Sequence, residues 1–248
     1  MRDVPQLDAR QKCDVAVITT NFYSSLHNKL RSKRTGRIHR KLVRSTIFIM
    51  TRHLDLGCGD NPRNPFLTND LYGVDLADFS GCAERVGTHL ITADLLEPLP
   101  FDADFFDSIS AYDFLEHVPR VAPGSKGDST ELPFINLMNE VWRLLRHDGC
   151  FIASTPAFPH RKAFQDPTHV NIITRDTHKY FLGDEPYSRR YGFVGNFREV
   201  YVGWDAEKNA WQPLQSSFRK AFRNFEHAVL KGGRSHITWM FKAVKTPG

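Results

Sequence analysis

Long apolar runs are missing from this sequence. The longest candidate near the N-terminus, Thr46-Ile-Phe-Ile-Met50, falls far short of the ~20 residues that span a bilayer. The first eight residues, Met-Arg-Asp-Val-Pro-Gln-Leu-Asp, carry acids and no apolar core, so they do not read as a secretory signal. Cysteine is scarce as well. Cys13, Cys58, Cys82 and Cys150 are scattered, and none belongs to a Cys-x-x-Cys pair, which argues against a zinc ribbon or a disulfide framework. A reduced, cytoplasmic protein is the expectation. Acids are absent between Asp14 and Asp55, where basic residues from Lys29 to Arg44 crowd together, and much of the net charge of +5 is local to that stretch. It reads either as a solvated helix face or as a patch for an anionic partner. That partner would be a nucleotide-sugar or lipid-linked diphosphate, an anionic membrane surface contacted peripherally, or RNA. Few aromatics interleave with the charges, which tells against nucleic-acid stacking.

The rest of the composition is ordinary. The chain has 248 residues, 41% hydrophobic and 25% charged, enough for one large α/β domain over 51–248. Residues 1–50 read as a basic helical extension packed on it.

That domain is organised around His53-Leu-Asp-Leu-Gly-Cys-Gly-Asp-Asn-Pro62. A short apolar strand ends in Asp55, and Gly57 and Gly59 follow at once. Glycines so placed let the backbone turn tightly and leave N–H donors for a ligand. Leu71-Tyr-Gly-Val-Asp75 reads as a second strand ending in an acid, at the spacing where a carboxylate meets a ribose. His89-Leu-Ile-Thr-Ala-Asp94 is a third, and a fourth over 105–111 leads through Tyr112 and Asp113 into Phe114-Leu-Glu-His-Val118. Pro62 and Pro65 leave room for at most a short helix after the first strand, and another short helix fits 83–86. Residues 121–130 have loop composition.

A helix is predicted over 131–146, its apolar stripe running from Phe134 to Leu145, with Gly149 as a left-handed cap. A fifth strand covers Cys150–Ser154. Thr174 caps a helix through Phe181. Strands at 197–204 and 236–244 flank an amphipathic helix carrying Leu214, Phe218, Phe222, Phe225 and Val229, expected to pack on the sheet or a neighbouring subunit.

The ordered series Leu-Asp-Leu-Gly-Cys-Gly, Gly-Val-Asp, Ala-Asp and Asp-Phe-Leu-Glu-His-Val resembles the class I S-adenosylmethionine-dependent methyltransferases, of the methyltransferase type 11 kind. The resemblance runs from about Arg52 to Thr155. It implies a Rossmann-like α/β fold: a seven-stranded, mostly parallel sheet with an antiparallel last strand and helices on both faces. It implies S-adenosyl-L-methionine as cofactor. Asp55, Gly57 and Gly59 would hold the methionine end, with Asp55 facing the ammonium. Asp75, with Leu76 beside it, would take the ribose. Asp94 and Leu95 would meet the adenine, and Tyr112 and Asp113 would line the pocket near the methyl group.

Two histidines compete as the base for a hydroxyl acceptor, His117 and His169. Asp166, His169 and Asn171 form a polar cluster that reads as an orienting acid, a base and a substrate contact, or as a plain loop clasp. Asp166 and His169 lack a convincing third ligand, so no metal is expected. The Asp-Pro-Thr-His-Val-Asn cluster is similar to methyltransferases of polysaccharide and O-antigen pathways. O-methylation of a saccharide or other small-molecule hydroxyl follows, with late aromatics (Tyr187, Tyr191, Phe193, Trp204, Trp211) for sugar rings and Arg189 and Arg190 for a phosphate-bearing carrier. Two alternatives stand beside it: an NAD-dependent dehydrogenase, disfavoured because Pro62 replaces the third glycine of that fingerprint, and a catalytically inactive module binding RNA or a protein partner.

Overall fold

The computed structural model describes residues 51–82, 85–124, 129–207, 218–230 and 233–245. The extension expected over 1–50, Leu214, Trp211 and half of the short helix expected at 83–86 lie outside these residues.

The apolar runs that end in acids form the sheet. β1 (Arg52–Leu56), β2 (Asp70–Asp75), β3 (Thr88–Thr92) and β4 (Phe106–Tyr112) are followed by β7 (Leu145–Pro156), β8 (Phe197–Asp205) and β9 (His236–Ala243). Their order across the sheet is β3-β2-β1-β4-β7-β9-β8. The first five are mutually parallel, whereas β9 runs antiparallel to both β7 and β8. This is the expected topology. Within the sheet the chain runs from β1 outward to β3 and then crosses back to β4. The carboxyl ends of β1 and β4 therefore sit at the point where the winding reverses, which is where open α/β sheets place their ligand crevice. The ends of a separate short ribbon, β5 (Ala122–Pro123) and β6 (Thr130–Glu131), bracket the segment read as a loop.

β4 is buried along its whole length, as a central parallel strand should be. Helix α1 (Pro133–Leu144) begins at a proline, which suits the first turn because its missing N–H would find no partner there. It buries Phe134, Leu137, Met138, Val141 and Leu144, the predicted stripe. Its end differs from expectation. Leu145 already pairs with Phe106 as strand, and the left-handed residue is Asp148 (φ 58°), not Gly149. Gly149 is required for space instead, since a Cβ there would lie 2.8 Å from the Arg146 carbonyl oxygen. The helix expected to run from Thr174 is a 3₁₀ segment, Thr177–Phe181. Helix α2 (Phe218–Leu230) forms, but Phe222, Phe225 and Val229 are exposed, so these side chains do not make the expected packing on the sheet. Residues 57–69 contain no helix.

A buried polar chain ties β1 to β4. Ser110 Oγ donates to Asp55 Oδ1 (2.5 Å), so Ser110 must accept from His53 Nε2–H (2.8 Å). His53 Nδ1 meets Ser108 Oγ (2.8 Å), which can donate to it when the imidazole is neutral. Burial depresses the His53 pKa from 6.5 to about 3 and raises that of Asp55 from 3.8 to about 6.

These two groups oppose each other in pH. The stability His53 contributes is present above pH 6.5 and is lost as pH falls toward 3, up to about 5 kcal/mol. The Asp55 contribution has the reverse sign, being lost as pH rises from 3.8 through 6. In His53→Gln the Asp55 slope should stand alone. Urea unfolding between pH 4 and 6 should show the variant gaining stability relative to the parent as pH falls; parallel curves would refute the neutral buried imidazole.

Candidate active site

Three acids lie at or just beyond the carboxyl ends of adjacent strands: Asp55 in β1, Asp75 closing β2, and Asp94 two residues past β3. The turn between the first two is the predicted glycine loop. Gly57 and Gly59 both adopt left-handed backbone (φ 64° and 52°), a region costly for residues with a Cβ. A Cβ at Gly57 would also lie 2.7 Å from the Phe114 ring, whereas one at Gly59 would meet nothing within 4 Å.

The donors of this loop are not free, contrary to expectation. Gly57 and Cys58 N–H donate to the Val74 carbonyl (2.9 and 3.3 Å), and Gly59 N–H donates to Asp75 Oδ2 (2.8 Å). The loop is thus stitched onto β2. Asp55 also departs from its assigned place. It is 1% exposed, with Oδ1 taken by Ser110 and Oδ2 by the Arg63 N–H (2.7 Å), so it anchors the loop rather than facing outward.

Asp75 is half-buried. Its oxygens accept from Gly59 and Ala77 N–H, one bond each, which leaves lone pairs toward the crevice. Leu76 beside it is 69% exposed. Asp94 is exposed and accepts the Leu96 N–H (2.9 Å). Leu95, expected to pack on a base, joins the core at 6% exposure; Leu96 is the leucine that reaches the surface there. Tyr112 is buried beneath the Arg63 guanidinium, 4.8 Å from its ring centroid, and burial drives its phenol pKa up.

At the end of β4 the backbone turns sharply. Asp113 is left-handed (φ 53°), and its Oδ1 meets His236 Nε2 at 2.8 Å. His236 Nδ1 in turn meets Ser235 Oγ at 2.8 Å. This pairing joins β4 to β9 and was not read from sequence, because 123 residues separate the partners. A 3₁₀ turn, Leu115–His117, follows.

Residues 166–171 fold against that turn. Asn171 holds them there: its N–H donates to the Glu116 carbonyl (2.9 Å) and its Nδ2 to the Leu115 carbonyl (3.0 Å), while Oδ1 accepts from Arg120 Nε (2.6 Å). The contact sets His117 and His169 edge to face, with ring centroids 4.8 Å apart. The two histidines read as rivals are therefore neighbours. Asp166 does not orient the His169 ring. Its carboxylate takes the Thr168 N–H and hydroxyl (2.8 and 2.7 Å), and Thr168 Oγ1 meets His117 Nδ1 (3.0 Å).

Glu116 completes the group, and sequence reading left it out of the site. It is 1% exposed, with Oε2 accepting the Thr155 hydroxyl (2.8 Å). Oε1 receives no hydrogen bond and lies 4.0 Å from His169 Nε2. Burial lifts the Glu116 pKa to about 8. The signal available was the Glu-His step itself, whose first member carries no apolar pattern to explain it.

Of the late aromatics, Tyr187 and Tyr191 are exposed and Trp204 is half-buried, while Phe193 belongs to the core. Two cavities, of about 320 and 540 Å³, lie away from the glycine loop. Trp204, His160 and Arg234 line the first, and Trp142, Arg143, Arg189 and Lys245 the second.

No protein-family model matches the chain, and no curated protein matches it. Among solved structures it is similar to a SAM dependent methyltransferase from Archaeoglobus fulgidus, at 16% identity over 78% of this chain and 86% of that one, with a TM-score of 0.49. It is similar to an S-adenosylmethionine dependent methyltransferase from Mesorhizobium loti at 15% identity, covering 78% and 92%, with a TM-score of 0.49. The N-methyltransferase NodS from Bradyrhizobium japonicum is 10% identical over 79% and 87%, with a TM-score of 0.42. The chemistry of this chain rests on its own residues.

The two loop glycines should differ on substitution. Gly59→Ala should cost about 1–2 kcal/mol from the left-handed backbone alone. Gly57→Ala adds the overlap with Phe114 and should cost more. Urea midpoints read the difference; equal costs would contradict this packing.

Proposed function

We propose that the chain is an S-adenosylmethionine-dependent methyltransferase that methylates a hydroxyl of a saccharide or similar small molecule. The observation that carries the proposal is the convergence at the switch point. Asp75 and Asp94 line one side of the carboxyl edge of the parallel strands, and Glu116, His117 and His169 gather on the other, beyond β4. The donor set fits the cofactor. Asp75 keeps lone pairs for two ribose hydroxyls, Asp94 offers an exposed carboxylate, and Leu76 and Leu96 offer apolar surface for a base.

The cofactor supplies an electrophilic methyl group on a sulfonium. The protein then has two tasks: to hold the acceptor oxygen in line with that carbon, and to relieve it of its proton. The first falls to a rigid floor. Asp55, Ser110 and the glycine loop are locked together by buried hydrogen bonds, so the crevice wall does not have to organise when ligands arrive. The second falls to the cluster around Glu116 and the two histidines, which holds proton acceptors at the end of β4.

The saccharide part of the proposal draws on the exposed rings of Tyr187 and Tyr191. Arg190 lies over the Tyr187 ring at 5.7 Å, and its charge beside an aromatic face suits a phosphate-bearing sugar carrier. Among the described residues no helix is long and apolar enough to cross a membrane. A carrier in a membrane would then be met from the surface, where the basic stretch between Lys29 and Arg44 would favour anionic lipid.

A thermal-shift titration with S-adenosylmethionine, S-adenosylhomocysteine and NAD checks the cofactor. The first two should stabilise the parent, by about 2.7 kcal/mol at a hundredfold excess over Kd, and Asp75→Ala should lose most of that. His169→Ala should keep the cofactor shift while turnover on a glycan or sugar-nucleotide panel falls at least 100-fold, the scale general-base loss produces. No shift with any of the three, together with salt-sensitive RNA binding, would favour the inactive binding module.

A further inference from the structure

We propose that Glu116, His117 and His169 bind one divalent first-row transition-metal ion, and that this ion holds the acceptor hydroxyl. One ligand atom from each residue lies within 4.8 Å of those from the other two. Ligands on one ion at ~2.1 Å stand roughly 3–3.5 Å apart, so small side-chain rotations close the set.

The hydrogen bonds around the cluster leave one free lone pair on each residue. Thr168 gives its hydroxyl proton to Asp166 Oδ1 (2.7 Å), so at His117 it can only accept; His117 Nδ1 carries the proton and Nε2 the lone pair. His169 Nδ1 faces the Ala163 carbonyl (3.4 Å), which accepts and cannot donate, so in the neutral, metal-binding form of the ring the lone pair is on Nε2. It is this Nε2 that faces Glu116 Oε1 at 4.0 Å. Oε1 is buried and receives no hydrogen bond among the described residues, while Oε2 is held by Thr155. A buried carboxyl oxygen without a hydrogen bond, with the His169 nitrogen opposite it and His117 in the same cluster, is a costly arrangement that a cation between them would relieve.

The surroundings have the form that metal sites take. Metal-bound histidines commonly donate their other N–H to a carbonyl or, through an intermediary, to a carboxylate. Here His169 uses the Ala163 carbonyl, and His117 uses Thr168, backed by Asp166. Imidazole ligands suit zinc, copper, iron or nickel, with cobalt a spectroscopic stand-in, over magnesium, calcium and manganese, which take oxygen ligands. Three protein ligands leave a position open for a substrate oxygen.

The use of the ion for the acceptor rests on the methyl-transfer reading above; the binding of the ion does not. With the ion bound, these three residues act as its ligands in place of proton acceptors, and an acceptor hydroxyl on the ion would release its proton to water more readily. Its oxygen would then form the new bond to the methyl carbon while the carbon–sulfur bonding pair returns to sulfur.

The full chain, stripped with a chelator, is titrated by calorimetry with Zn²⁺, Co²⁺ and Ni²⁺, and separately with S-adenosylmethionine. One ion per chain is expected, with Co²⁺ giving a visible absorption band from mixed nitrogen and oxygen ligation. Glu116→Gln and His169→Ala should each weaken binding at least 100-fold, and Thr168→Val, on the exposed side, about 10-fold. The Co²⁺ band of the parent needs no variant, so a variant that fails to fold does not remove the test. No binding of any of the three ions, or unchanged affinity in folded Glu116→Gln and His169→Ala, overturns the site. Ion binding without cofactor binding would keep the site and remove the methyl-transfer reading. Cofactor binding with no ion would do the reverse.

Discussion

Asp55 holds a carboxylate where almost no water reaches, and much of the crevice depends on how that carboxylate is satisfied. Oδ1 takes the Ser110 hydroxyl from β4, and Oδ2 takes the Arg63 N–H from the far end of the glycine loop. Behind Ser110, His53 and Ser108 continue the chain of hydrogen bonds into the sheet. One acid thereby fixes the spacing of β1 and β4 and the path of the loop between β1 and β2. A buried carboxylate left unpaired would cost several kcal/mol, so this geometry is strongly enforced. The central position of Asp55 makes it a support of the site rather than a contact within it.

The glycine loop also does without a helix terminus. In many nucleotide-binding βαβ units a helix begins right after the glycine turn and presents its N–H groups to the ligand. Here Pro62 and Pro65 stop that helix, and the Gly57, Cys58 and Gly59 N–H groups are taken by Val74 and Asp75. What this edge offers instead is side chains: Asp75 with its remaining lone pairs, Asp94, and the exposed Leu76 and Leu96. The crevice is preorganised by its own backbone bonds and left polar at its rim.

The other half of the site is made by convergence. Thr168 and His117 are 51 residues apart in sequence and meet because Asn171 fastens one loop to the 3₁₀ turn that ends β4. Three hydrogen bonds from one buried asparagine side chain and its backbone do this work. The result is a compact group of one carboxyl and two imidazoles, with one ligand atom of each within 4.8 Å of the others. Asp113 and His236 add a second link, between β4 and β9, just before that 3₁₀ turn.

Much of the fold was legible in the sequence. Each of the first four parallel strands is a short apolar run bounded by glycine or an acid, and its length and flanks place it; α1 shows its stripe at helical spacing; the tight turn at Gly57 and Gly59 follows from two glycines directly after a strand. These are local properties, set by backbone sterics and burial of one face, so neighbours in sequence suffice to reveal them. What the tertiary structure decided concerns partners. Asp55 reads as a ligand residue until Ser110 and Arg63 are seen to occupy it. Leu95 and Leu96 are equivalent on paper, and only packing chooses which is buried. Glu116 looks like one more acid in a motif until Thr155 takes one oxygen and His169 stands opposite the other. A side chain's chemistry is set by the donors, acceptors and water left to it, and those come from segments that only folding brings together.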